Sequence, residues 1–202
     1  SAQEGYAPCY EFTGVECEQG GNPPGGTDAA FCLNAPHGGI NAAIVTLTGV
    51  ASKPQECEGY RLPTDAEWEF AARAGTLSAY YNGQESDSGH LECEVPFHLT
   101  AIAWYCGNNT PSGAKAVGEK AANGWGLKDM SGNVHEWCWD RYCTDTTGYG
   151  ADPDGSSCGG PNRVFRSGVW LSPAHGCRSA ERRFIWPDYR DNNLGVRLVR
   201  SL

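Results

Sequence analysis

The chain has 202 residues, of which 40% are apolar and 19% charged, with fifteen Lys and Arg against twenty-four Asp and Glu. Seven Trp and nine Tyr in so lightly charged a chain exclude an intrinsically disordered protein. The net charge of -9 argues against a nucleic-acid backbone or an anionic membrane surface as the main partner, and no apolar run reaches the roughly 18 residues of a membrane span.

Residues 1 to 58 carry little periodic signal. Within them, the Gly- and Pro-rich stretch from Glu18 to Gly26 is expected to be loop, with Cys17 and Cys32 placed to clamp it. The β-branched run from Ile44 to Val50 predicts a strand. One helix is well marked. Thr64 with Glu67 three residues later forms a capping box, Asp65, Glu67 and Glu69 crowd the positive end of the dipole, and Gly75 stands where the helix should stop. Residues 76 to 126 read as loop around one apolar patch, Ala101 to Tyr105, and residues 144 to 162 as a second Gly, Pro and Asp stretch. Val164–Arg166 and Leu194–Val199 alternate as half-buried strands do. The whole of 1–202 is thus expected to form one loop-rich α+β domain.

Ten cysteines are scattered along the chain with no CxxC or CxxCH spacing, which points to disulfides rather than a zinc or haem site. Disulfides persist in oxidising compartments, so a secreted or periplasmic location is expected. The chain opens at Ser1-Ala2-Gln3 without a signal peptide, as a mature or trimmed form would.

Three segments in order resemble one family. Gly59 to Arg73 (GYRLPTDAEWEFAAR) is the first, and Asn123 to Trp137 (NGWGLKDMSGNVHEW) the second. The third joins Arg163–Trp170, Cys177–Ala180 and Asn193–Arg197. All three are similar to blocks of the formylglycine-generating enzymes, the sulfatase-modifying factors. The resemblance implies an irregular, loop-rich C-type lectin-like fold with bound calcium. It also implies that opening strands are missing here, through trimming or processing, or because a separate chain carries that N-terminal segment.

Asp129 and Glu136 lie seven residues apart with Gly132 between them. Calcium wants six to eight oxygens from carboxylates and carbonyls, and the resemblance implies a Ca²⁺ site from Asp129, Gly132, Val134 and Glu136. The bland alternative is a turn whose carboxylates cap backbone N–H groups. The family's other calcium site is weakened, because an Asn ligand falls near Ile102.

Active relatives use two cysteines, five apart, to bind copper(I) and oxidise a substrate cysteine with O₂. The resemblance places the second at Cys177 and the first at Ser172. A hydroxyl is a hard, poor ligand for copper(I), so copper is not expected. Val169 and His135 also depart from the family, at a Ser and a Trp. Cys177 is catalytic only if the enzyme is active; otherwise it is expected in a disulfide, for which Cys138 is a partner. A different metal set of His135, His175 and Cys177 is conceivable on ligand chemistry alone.

The remaining expectation is a recognition pocket. His135, Trp170, Ser172, His175, Arg182, Trp186 and Tyr189 are assigned to it, with Glu181 and Phe184 in the same segment. Aromatics mixed with Arg and His are typical of binding surfaces, although the same residues also serve as core and solvated rim. Some lectin-fold relatives vary this region to bind diverse partners. The leading expectation is therefore a calcium-binding module for a protein, peptide or glycan. The competing one is a formylglycine-generating or other metal-dependent oxidase.

Overall fold

The computed structural model describes residues 5, 8–17, 40–47, 53–84, 93, 97–144 and 153–201. The stretch 18–26 and the clamp from Cys17 to Cys32 lie outside what it describes. The chain forms two compact units, Ser1–Arg61 with Leu198–Leu202, and Leu62–Arg197.

In the first unit, β1 (Tyr10–Cys17) pairs antiparallel with β2 (Ile40–Leu47). β2 thus starts earlier than the β-branched run predicts. A second ladder joins β3 (Tyr60–Arg61) to β8 (Val199–Arg200). Cys9 is bonded to Cys57, stapling the segment that precedes β3.

The second unit begins with α1 (Asp65–Arg73), which follows the sequence signals closely. Thr64 Oγ1 accepts the Glu67 N–H at 3.2 Å, and Glu67 Oε2 accepts the Thr64 N–H at 2.8 Å. The Thr64 and Glu67 amides at this end are thereby satisfied. Ala74 and Gly75 are left-handed, with φ of 46° and 88°, and stop the helix. A short α2 (Phe97–Thr100) follows.

A four-stranded sheet runs in the order β6 (Arg183–Ile185), β5 (Arg163–Arg166), β4 (His135–Arg141), β7 (Leu194–Gly195). β4 and β7 are parallel; the other pairs are antiparallel. The single strand expected over Leu194–Val199 is instead two, β7 and β8, separated by exposed Val196 and Leu198. Arg197 leaves the strand path to bind Glu136.

α1 lies against β4 and β5, and its junction with them is polar. Arg166 pairs with Asp65 and, at 2.8 Å, with Glu69, while Trp68 Nε1 donates to Glu136 Oε2 at 2.7 Å. Around this junction Trp68, Tyr80, Leu99, Ile102, Tyr105, Met130 and Val164 form the core. Two further disulfides, Cys93–Cys106 and Cys143–Cys158, cross-link loops. Cys138 and Cys177 are free and buried, which corrects the expectation of a bond between them. Both sit inside the apolar core, where a thiol packs as a small hydrophobe. Among the described residues, no helix is long and apolar enough to cross a membrane.

Candidate functional site

The loop from Asp129 to Glu136 is wound by three left-handed residues, Asp129, Gly132 and Asn133, with φ of 58°, 74° and 65°. Gly132 has no substitute: a Cβ there would stand 2.1 Å from the Trp104 carbonyl oxygen. The loop is fastened to the turn after β5. Gly132 N–H donates to Ser167 O at 2.7 Å, Ser167 Oγ to Gly132 O at 2.9 Å, and Trp170 N–H to Asn133 O at 2.8 Å. Asn133 Oδ1 also accepts the Lys115 N–H at 2.8 Å.

Asp129, Gly132, Val134 and Glu136 line one cavity of about 280 Å³, together with Val117, Asn133, Val196 and Arg197. Asp129 Oδ2 accepts the Gly118 N–H at 2.6 Å, but its Oδ1 is buried with no hydrogen-bond partner. Glu136 is fully engaged. Its Oε2 takes Trp68 Nε1 and Arg197 Nε (2.8 Å), and its Oε1 takes Arg197 Nη2 (2.7 Å). An orphaned carboxylate oxygen in a cavity that a second carboxylate also lines fits a hard cation, because burying such an oxygen unpaired is costly.

Ser172 and Cys177 belong to one compact turn. Ser172 is buried and its Oγ accepts the Val169 N–H at 3.0 Å, so the hydroxyl closes a local turn. Cys177 ends the 3₁₀ turn Ala174–Cys177 and has no solvent exposure. Burial pushes its thiol up to about 12, with Glu181 adding to the effect. His135 Nδ1–H donates to Arg166 O at 3.3 Å and its ring lies 4.3 Å from that of Phe165. Burial pushes the imidazole down to about 4, so it is neutral near pH 7. His175 Nδ1 and Trp170 Nε1 are buried without partners. Among the described residues, no cluster of three His, Cys, Asp or Glu side chains is arranged to hold a metal.

Four large side chains flanking this turn lie on the surface. Leu171, Phe184, Trp186 and Tyr189 are 55%, 47%, 59% and 42% exposed, high values for large apolar groups. Phe184, on the edge strand β6, stacks on Tyr142 at 4.0 Å. Tyr189 Oη donates to Asp191 Oδ2 at 2.7 Å. Arg182 is differently placed: it pairs with Asp65, donates to Cys143 O at 2.7 Å and lies over the Tyr142 ring. It therefore ties the sheet edge to α1.

Sequence reasoning did not single out Leu171 or Arg197. It also passed over a second cavity of about 210 Å³, lined by Asp65, Glu69, Asp140, Arg166 and Arg182. Only the tertiary fold brings these charges together, and nothing in their spacing announces it.

The family model described as "Sulfatase-modifying factor enzyme 1-like domain" matches residues 27–202. The chain belongs to this sulfatase-modifying factor family. It is 34% identical to the formylglycine-generating enzyme of Thermomonospora curvata, across 69% of this chain and 48% of that one. It is 32% identical to the bovine "Inactive C-alpha-formylglycine-generating enzyme 2", across 69% and 43%. Among solved structures, Treponema denticola variable protein 1 superimposes with a TM-score of 0.69 at 31% identity, covering 98% of this chain and 64% of that one. The chain spans about half the length of the curated relatives it matches. These likenesses support the loop-rich, C-type lectin-like α+β fold.

Proposed function

We propose that this sulfatase-modifying factor domain is a calcium-binding recognition module, acting in a secreted or periplasmic setting on a protein, peptide or glycan. The observation that carries this reading is the exposure of Phe184, Trp186 and Tyr189 on one short segment, with Leu171 exposed ahead of the buried 3₁₀ turn. Exposed aromatics anchored on rigid elements are the usual source of binding energy at interfaces. Here Phe184 is anchored by β6 and by the stacked Tyr142, and Trp186 follows directly after the strand. The likeness to a relative named inactive is in keeping with a domain that lacks the family's chemistry.

Three disulfides among the described residues support an oxidising compartment. Calcium would be held by the Asp129 and Glu136 carboxylates with the Gly132 and Val134 carbonyls, and would rigidify the loop. The orphaned Asp129 Oδ1 is what supports it.

The test uses a random peptide display library and a glycan array, each probed with the full chain. We expect binders whose affinity falls at least tenfold with Trp186→Ala while the melting temperature stays unchanged. Binders indifferent to both Trp186→Ala and Tyr189→Ala, or no binders at all, would overturn the reading.

One observation favours the competing enzymatic reading. Cys177 is a free thiol rather than half of a disulfide, so the residue matching the family's second copper cysteine keeps an unbonded sulfur. Its complete burial and the hydroxyl at Ser172 weigh against that reading.

A further inference from the structure

We propose that Arg197 competes with calcium for Glu136 and so sets how tightly the loop holds the ion. The inference rests on the calcium reading above and extends it to a residue outside the ligand set. Arg197 grips Glu136 through both nitrogens, Nε on Oε2 at 2.8 Å and Nη2 on Oε1 at 2.7 Å. The same Nη2 donates to Lys128 O at 2.9 Å, so the guanidinium lies across the start of the loop. Arg197 also lines the cavity that contains Asp129.

The two oxygens of Glu136 are not equivalent. Oε2 is held twice, by Arg197 and by the buried Trp68 indole, whereas Oε1 accepts from Arg197 Nη2. A calcium ion bonds carboxylate oxygens at about 2.3–2.6 Å. An ion on Oε1 would share that oxygen with a guanidinium nitrogen 2.7 Å away, and at a separation of roughly 4 Å the two cations repel. The repulsion favours departure of Nη2 from Oε1 when the ion binds. Trp68 keeps Oε2, and Lys128 O remains available to the displaced nitrogen. The metal must outcompete an internal cation that is always charged and always present. Affinity is lowered accordingly, and the unloaded loop is spared an unpaired buried carboxylate at Glu136.

Calorimetric titration of CaCl₂ into the full chain tests this with wild type, Arg197→Gln, Arg197→Lys and Asp129→Asn. We expect Arg197→Gln to bind calcium at least tenfold more tightly than wild type, and Asp129→Asn to bind none. Arg197→Lys, which keeps the charge but cannot span both oxygens, should fall between wild type and Arg197→Gln and serves if the glutamine variant folds poorly. Calcium binding by wild type that neither Arg197 variant strengthens would overturn the competition and leave the calcium site standing. No binding at 10 mM by wild type or either Arg197 variant, on the order of ten times the weakest usual extracellular site, would overturn both.

Discussion

Gly168 lies directly against the sulfur of Cys177: a Cβ built on Gly168 would stand 2.9 Å from Sγ and 2.5 Å from the Gly176 carbonyl oxygen. The turn after β5 is thus closed down on the thiol, with Ser167 and Gly168 both left-handed at φ of 86° and 76°. Gly176 is close-packed as well, though less severely: an added Cβ would meet Ser172 Cβ at 3.1 Å. The segment that carries the exposed anchors grows out of this sealed corner.

Gly168→Ala should therefore destabilise the protein by about 3 kcal/mol, from the left-handed backbone and the collision with Gly176 together. Gly83 is the control, because it is also left-handed but has open space around the added methyl. Gly83→Ala should cost only about 1 kcal/mol. Denaturant melts of the two variants check this; equal losses would mean that the contact with Gly176 and Cys177 does not constrain the fold.

The state of the cysteines gives a second expectation. Under native conditions Cys138 and Cys177 should resist alkylation, because burial raises both thiols and removes access. Unfolding without reductant should expose both, while Cys9, Cys57, Cys93, Cys106, Cys143 and Cys158 stay unmodified. Peptide mass spectrometry after alkylation reads each site. A Cys138–Cys177 peptide in the unreduced digest would contradict the structure.

Asp140 gives a pH dependence. It is buried, accepts the Asp65 N–H at 2.7 Å, and burial pushes its carboxyl from 3.8 to about 7. The Asp65 carboxylate adds to the rise, and Arg182 opposes it. Between pH 4 and pH 7 the native state keeps a proton that the unfolded chain has lost, so stability falls as pH rises through this window. Asp140→Asn keeps an acceptor for Asp65 without the charge. Its melting temperature relative to wild type should rise between pH 5 and pH 8; a constant difference would count against the ionisation.

The sequence made some of this legible and hid the rest for physical reasons. α1 was readable because its stop and start signals are local: Thr64, Glu67 and Gly75 act within a turn of where they stand. β4 was not, because its alternation is inverted. The buried face carries Glu136, Cys138 and Asp140, while Trp137 and Trp139 are only half-buried on the other. A buried acid makes sense only beside Trp68, Arg197 and the Asp65 amide, which come from distant parts of the chain. The break between β7 and β8 was hidden likewise, since Arg197 is drawn out of the strand by Glu136. The aromatic composition of residues 184–189 was visible, but their exposure depends on β6 being an edge strand. Cysteine parity misled, because two thiols can equally well fill a core.

The proposal that this domain recognises without oxidising is tested most directly by incubating the purified chain with copper(I), O₂ and a cysteine-containing sulfatase peptide. Mass spectrometry of the peptide then reports whether the cysteine becomes formylglycine. With a hydroxyl at Ser172 and a fully buried thiol at Cys177, the peptide is predicted to be recovered without that conversion. Catalytic formation of formylglycine that disappears with Cys177→Ser would contradict the account.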